Sequence, residues 1–136
     1  MTAYDYRIIA GKDFNKVTNM ITLRKTVDFT KRNMVAADTL IVFTLPQGFV
    51  YERSIVIPRI VEGSAATIEL GWTGLTSGLV TAGSVNGTVN LPIVTAQSAV
   101  VGTWFITNAS NLILTANGTI VNTKLEILLR GFTLPY

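Results

Sequence analysis

Residues 121–130, VNTKLEILLR, carry the clearest structural pattern in this chain of 136 residues. One face of the stretch would carry Val121, Thr123, Leu125, Ile127 and Leu129, and the other would carry Asn122, Lys124, Glu126 and Arg130. Side chains alternate between the two faces of a β-strand, so this alternation is typical of a strand with one buried face and one face in water. We therefore expect a sheet that covers a hydrophobic core on one side.

Shorter apolar runs upstream of this stretch predict further strands. They lie at residues 38–45, 49–61, 65–70, 79–82, 88–94, 103–107 and 111–116. Turn-forming residues separate them at intervals of about 8–12 residues, which is the spacing of a β-sandwich or a barrel. The sequence therefore predicts an all-β fold, either an antiparallel β-sandwich or a jelly-roll-like barrel with an N-terminal arm.

Glycine, proline and asparagine mark the turns between these strands. In the sequence Pro46-Gln47-Gly48, proline pre-sets its own φ and glycine accepts a positive φ. We expect a type I′ hairpin turn at Asn86-Gly87 and a tight turn at Asn117-Gly118. Pro58 lacks a backbone donor, so it should mark an edge or a bulge. Residues 71–89 are rich in glycine and are expected to be mostly loop.

The charge of the chain is unevenly distributed. Residues 1–32 contain seven of the eleven basic residues, whereas residues 63–123 contain a single charged residue, Glu69. We predict an N-terminal arm or first strand in residues 1–33 and a β-sandwich domain in residues 34–136. Residues 21–29 alternate loosely, which favours a first strand there. Since the sharp periodic pattern starts only after residue 33, we expect this N-terminal region to contact other molecules rather than to complete the core.

The composition disfavours most catalytic chemistry. The chain contains no cysteine and no histidine, so it lacks the commonest nucleophile–base pairs and the commonest metal ligands. The glutamates of the body are Glu52, Glu62, Glu69 and Glu126, and no two of them are predicted to converge. We interpret Glu126 as part of a solvated pair and Glu69 as an outward residue on a strand. The sequence predicts neither an enzyme nor a cofactor or metal site.

No targeting or membrane segment is predicted. Residues 1–19 contain no apolar core of a secretory signal, and no apolar run approaches the roughly 20 residues needed to span a bilayer. We expect no membrane partner.

The candidate contact residues are therefore basic or aromatic. They are Arg7, Lys12, Lys16, Arg24, Lys25, Lys31, Arg32 and Trp72. The basic cluster would touch an acidic protein surface or form a solvated face. Nucleic acid is disfavoured because Asp28 interrupts the cluster and few aromatic residues accompany it. Trp72 follows a glycine and could anchor an interface, whereas Trp104 is expected to pack in the core.

Residues 36–50, AADTLIVFTLPQGFV, resemble the opening of small bacteriophage virion proteins. In that family an "aaD" is followed by an apolar strand, a proline–glycine turn, a second strand and a "t-A-t-h-x-h-G" segment, which residues 65–71 match as AATIELG. Residues 111–116 and 119–130 are similar to the two closing strands, so the resemblance covers roughly residues 36–130. The family's usual Gly-Asp is here Gly71-Trp72, so no acidic role transfers to that place.

The resemblance implies a capsid decoration (auxiliary head) protein without catalytic residues. Such a protein would bind the major capsid protein, assemble as a homo-oligomer (a dimer or trimer), and reside on the capsid surface of the virion after assembly in the host cytoplasm. The alternative is a binding module of a phage tail or fibre that recognises surface carbohydrate, with Trp72 as the candidate aromatic platform.

Overall fold

The computed structural model describes residues 20–93, 105–106 and 110–133. These residues form eight β-strands in two four-stranded sheets. The strands are β1 (Met20–Asp28), β2 (Thr39–Leu45), β3 (Phe49–Ile60), β4 (Thr67–Trp72), β5 (Leu75–Ser84), β6 (Phe105–Ile106), β7 (Ser110–Asn117) and β8 (Lys124–Thr133). The predicted all-β sandwich is confirmed, and neither sheet closes into a barrel within the described residues.

Each sheet is antiparallel, and one of the last two strands, β8 or β7, lies inside it between two neighbouring strands. The first sheet has the order β1-β8-β3-β6, and the second has the order β2-β7-β4-β5. The alternation predicted for residues 121–130 is confirmed within β8, since Leu125, Ile127 and Leu129 are fully buried, whereas residues 121–123 precede the strand. Facing them are buried residues of the second sheet, among them Leu70, Leu112 and Leu114. The core therefore lies between the two inner faces.

The turn at Pro46-Gln47-Gly48 carries the chain from the second sheet to the first. Gly48 has a φ of 76°, and the Phe49 N–H donates to the Pro46 carbonyl at 3.3 Å. This is the geometry predicted for the segment. The predicted bulge is also confirmed, because the register of β3 against β8 shifts between Pro58 and Ile60. β7 ends at Asn117, and Gly118 follows with a φ of 130°.

The glycine-rich region differs from the prediction. Residues 75–84 form one continuous strand, β5, rather than loops around a short strand at residues 79–82. The glycines permit close packing here: a Cβ on Gly71 would lie 2.1 Å from the Leu75 carbonyl oxygen, and one on Gly83 would lie 2.7 Å from Ile93 and Val80 side-chain atoms. Glycine content was therefore a misleading sign of loop structure.

The connection after β5 also differs from the prediction. Neither Asn86 nor Gly87 has a positive φ, so the expected type I′ turn is wrong. Residues 88–93 form a turn and an extended segment but no strand. The backbone N–H groups of Asn90 and Ile93 instead donate to the carbonyls of Pro58 and Val56, each at 2.8 Å. The segment thus covers part of the β3 edge by isolated hydrogen bonds.

The N-terminal prediction needs correction for residues 20–33. β1 pairs with β8 from Met20 to Asp28, and both Val27 and Phe29 are buried in the core. The expectation that this region stays outside the core is therefore wrong there. The prediction from charge was wrong because Arg24 lies on the outer face of β1, and the other face of this edge strand packs against the core. For residues 1–19, outside the described residues, the arm stays a prediction, and Trp104 also lies outside them.

The packing of β8 predicts a clear order of mutational costs. Leu125→Ala and Ile127→Ala should each lower the free energy of unfolding by about 2–5 kcal/mol, because each empties a fully buried aliphatic site. Lys124→Ala, on the opposite face of the same strand, should cost about 0.5 kcal/mol or less. Denaturant unfolding of the three variants measures these differences. A larger cost for Lys124→Ala than for the other two would contradict the assigned facing of β8.

Candidate interaction surface

The structure scatters the contact residues that the sequence suggested. Arg7, Lys12 and Lys16 lie outside the described residues. Arg24 projects from the outer face of β1, whereas the Lys25 ammonium group donates to the Val42 carbonyl at 3.3 Å on the neighbouring sheet. Lys31 and Arg32 are exposed in the turn after β1. Contact with a partner stays a prediction for each of these basic residues.

Trp72 does not lie on an exposed loop. It is the last residue of β4, is only 2% exposed, and packs near the Tyr51 ring at a centroid distance of 6.3 Å. The side chain points inward because it shares a face with Leu70, which lies two residues earlier and is also buried. The premise that Trp72 is accessible as an interface anchor is therefore wrong for this conformation of the chain.

The outer face of the first sheet gathers four arginines that are distant in sequence. Strand register places Arg130 opposite both Thr22 and Arg53, and it places Leu128 opposite both Arg24 and Ile55. We call this surface the arginine face. Its members are Thr22, Arg24, Glu52, Arg53, Ile55, Arg59, Glu126, Leu128 and Arg130.

At one end of the arginine face, Glu126 is held between two arginines. The Arg59 guanidinium donates to Glu126 at 2.8 Å from β3, and Arg24 pairs with the same carboxylate from β1. The Glu126 side chain is only 8% exposed, so its interpretation as a solvated residue is wrong. The hydrogen bond from Arg59 is the main reason that the pKa of Glu126 lies below its usual value, despite the opposing effect of burial. Two of the four arginines are thereby neutralised in part.

At the other end, Arg53 and Arg130 are direct cross-strand neighbours with the same charge. Arg130 has a partner in Glu52, whose carboxylate lies 3.2 Å from its Nε. No ion pair joins Arg53 to any described residue. A shallow pocket of about 120 Å³ lies between these arginines and is lined by Thr22, Arg53, Ile55, Leu128 and Arg130. Like charges directly opposite one another destabilise a sheet, so this pair is not explained by folding.

The outer face of the second sheet has a different character. Its register aligns Thr39 with Thr115 and Ile41 with Ile113, and Glu69 is its single charged residue among the described positions. Glu69 is half-buried and accepts a hydrogen bond from the Thr76 hydroxyl at 3.4 Å, as an outward strand residue can. The sandwich therefore presents one arginine-rich face and one nearly neutral face of threonine, asparagine and isoleucine.

Glu62 is a buried carboxylate that the sequence did not single out. Its Oε2 accepts hydrogen bonds from the backbone N–H groups of Val121, Asn122 and Thr123 at 3.0–3.2 Å, and from the Thr123 hydroxyl at 2.8 Å. Successive N–H groups of this kind form a pocket for an anion. Glu62 thereby fixes the connection that brings the chain from β7 into β8.

Neither the cross-strand pair of Arg53 and Arg130 nor the contacts of Glu62 could be predicted from the sequence. The facing of Arg53 depends on a bulge between Tyr51 and Arg53, which shifts every later residue of β3 relative to β8. Glu62 follows an apolar strand at a position that resembles an ordinary exposed strand end. The described residues contain no cluster of three or more acidic, histidine or cysteine side chains suited to a metal ion. They also contain no helix long and apolar enough to cross a membrane.

A comparison with protein-family models finds no match, and a comparison with curated proteins finds none either. Among solved structures, a similar chain occurs in the capsid asymmetric unit of cyanophage Pam1, with a TM-score of 0.65 and 17% sequence identity. The similarity covers 85% of this chain and 86% of that chain, so the two sandwiches correspond over nearly their whole lengths. At this identity the likeness shows a shared fold. It agrees at that level with the resemblance to phage virion proteins, whereas membership of a decoration family stays a prediction.

The Glu62 contacts predict a specific dependence of stability on pH. Burial alone would raise the pKa of Glu62, but the hydrogen bonds from Asn122, Thr123 and Val121 outweigh it and lower the pKa below the usual value of 4.5. The ionised form therefore stabilises the fold above about pH 4.5, and this stabilisation is lost as the pH falls through the lowered pKa. Glu62→Gln should destabilise the protein at pH 7, and its loss of stability relative to the wild type should shrink as the pH falls below about 4.5.

Two further variants sharpen this test. Glu62→Ala should cost about 1–3 kcal/mol or more at pH 7, because it leaves buried donors without an acceptor. Glu52→Gln is the matched control, since the Glu52 side chain is 42% exposed and its pair with Arg130 should contribute only about 0–1 kcal/mol. Thermal unfolding at a series of pH values gives all three results. An equal, pH-independent loss for Glu62→Gln and Glu52→Gln would contradict the role assigned to Glu62.

Proposed function

We propose that this chain is a non-enzymatic structural protein of a phage virion that binds the assembled capsid shell and stabilises it, as a decoration protein does. The observation that carries the proposal is the likeness in fold to a chain of a phage capsid asymmetric unit, over 85% of this chain. The sequence resemblance of residues 36–130 to small virion proteins supports it independently. The proposed partner is the major capsid protein, and the proposed location is the capsid surface, after assembly in the host cytoplasm.

The unequal faces of the sandwich support this role. A protein that binds the assembled shell but not its dissociated subunits stabilises the shell by mass action. One charged face and one neutral face suit such a protein, because the charged face can contact the shell while the neutral face avoids repulsion between many close copies. A dimer or trimer of this chain would also bring several weak contacts to the shell together.

The alternative is a tail or fibre module that binds surface carbohydrate. That hypothesis depended on an accessible aromatic platform at Trp72, and this side chain is 2% exposed. The alternative therefore has less support than the capsid role. An enzymatic role has none from the residues described, since no convergent nucleophile and base accompany the pocket on the arginine face.

Quantitative mass spectrometry of purified virions tests the location. We expect the chain in a copy number comparable to that of the major capsid protein, because a decoration protein repeats with the shell lattice. Removal of the chain should also lower the temperature at which shells release their DNA. A copy number comparable to that of tail proteins would favour the tail alternative, and absence from the virion would overturn the proposal.

The N-terminal residues provide a second test of this proposal. We expect deletion of residues 2–19 to leave the melting temperature of the free protein nearly unchanged, because β1 begins at Met20. Retention of the truncated protein on shells should be weaker, and the difference from the wild type should be largest at low salt, because salt screens the ion pairs that the deletion removes. Replacement of Arg7, Lys12 and Lys16 together by alanine should reproduce this change at full length. A truncated protein that fails to fold, or that binds shells normally, would contradict the proposed arm.

A further inference from the structure

The cross-strand pair Arg53 and Arg130 is the least explained feature of the described structure. Both side chains are exposed on the arginine face, and both line the same pocket. The pair Arg130–Glu52 is exposed on both sides, at 44% and 42%, so water screens it and leaves the arginines accessible. Arg53 has no carboxylate partner among the described residues. Two guanidinium groups thus line one pocket, and among the described residues Glu52 is the single carboxylate paired with either of them.

The pocket has the chemistry of a carboxylate site. Arginine presents planar N–H donors that match the two oxygens of a carboxylate, so Arg53 and Arg130 could hold one acidic side chain from two sides. The half-buried side chains of Ile55 and Leu128 offer an apolar floor for the methylene groups of that side chain. The pocket volume of about 120 Å³ is well below the roughly 300–1,000 Å³ of pockets that take drug-sized ligands. It is therefore suited to one short side chain and not to a large ligand.

The surroundings favour a polypeptide over a nucleic acid. The residues that line the pocket include no aromatic ring on which a base could stack. A peptide whose acidic residues alternate with apolar residues would match both the arginines and the apolar floor.

We propose that the pocket between Arg53 and Arg130 binds an acidic side chain from an acidic and partly apolar segment of a neighbouring protein. The chemistry of the site stands on the pocket alone, whereas the identity of that neighbour as a shell subunit rests on the proposed function. Arg24 and Arg59 are already paired with Glu126 at the other end of the arginine face and do not line the pocket. The site thus replaces Trp72 as the centre of the interaction surface.

The first experiment tests the pocket without the virion. The probe is an acetylated and amidated peptide, Leu-Asp-Leu-Glu-Leu, titrated into the ¹⁵N-labelled protein while the Nε–Hε signals of the arginines are followed by NMR. We expect the Arg53 and Arg130 signals to shift. Arg53→Glu should weaken binding by about tenfold or more, which corresponds to about 1.4 kcal/mol. Lys124→Glu makes the same charge change at the start of β8, away from the residues that line the pocket, and should bind as the wild type does.

Three results would overturn the site. They are equal loss of binding in Arg53→Glu and Lys124→Glu, binding of the Asn/Gln version of the peptide as tight as that of the acidic one, and displacement of the peptide by a DNA oligonucleotide. The melting temperature of Arg53→Glu separates the site from a structural role. It should stay equal to that of the wild type or rise, because the substitution replaces a like-charge pair by an attractive one. A clear fall would mean that Arg53 supports the fold.

The second experiment links the pocket to the proposed function. Retention of the wild type, Arg53→Glu and Lys124→Glu on shells that lack the protein should follow the order of peptide binding. If none of the three proteins binds shells while peptide binding still requires Arg53, the proposed function is wrong, but the pocket remains a carboxylate site. If all three bind shells equally, the shell is not the neighbour that supplies the acidic side chain. If they also bind the peptide equally, the site fails and the proposed function stands.

Discussion

The position of β8 between β1 and β3 is the constraint on which the rest of the structure depends. It pairs with β1 through residues 124–132 and with β3 through residues 124–133, so both of its edges are hydrogen-bonded. Its two-residue period then assigns each side chain to one of two tasks. Leu125, Ile127 and Leu129 fill the core, whereas Glu126 and Arg130 project into the arginine face. A shift of one residue would exchange these sets, so the core fixes the interaction surface.

Glu62 supports this arrangement from the end of β8. The chain enters β8 after crossing from the second sheet, and a crossing connection must satisfy its backbone donors away from a ladder. One carboxylate oxygen accepts three of those donors and the buried Thr123 hydroxyl. Because Glu62 follows β3, which is the direct neighbour of β8, the same residue couples the start of β8 to the strand that it pairs with. The register of Arg53 against Arg130 is held at its other end by this contact.

Sequence patterns predicted the parts of the fold that depend on side-chain periodicity and local turn chemistry. Residues 121–130, the Pro46–Gly48 turn and the Pro58 bulge belong to this class. Features that depend on partners distant in sequence were not predictable. Glycine at positions 71 and 83 suggested loops, but each allows another part of the chain to approach closely. Trp72 suggested an exposed anchor, although its neighbour strands bury it. The pairing of Arg53 with Arg130 required both the strand order and a bulge in β3.

Alternate positions of β8 contribute separately to the stability of the fold and to the charge of the arginine face. Core positions of β8 tolerate little change, since each removes buried apolar contacts. Outer positions such as Arg53 and Arg130 contribute little to folding, and as neighbours of like charge they act slightly against it. Residues that oppose folding persist where they serve an interaction. Substitution at alternate positions of the strands can therefore change the charge of the arginine face without disturbing the sandwich that presents it.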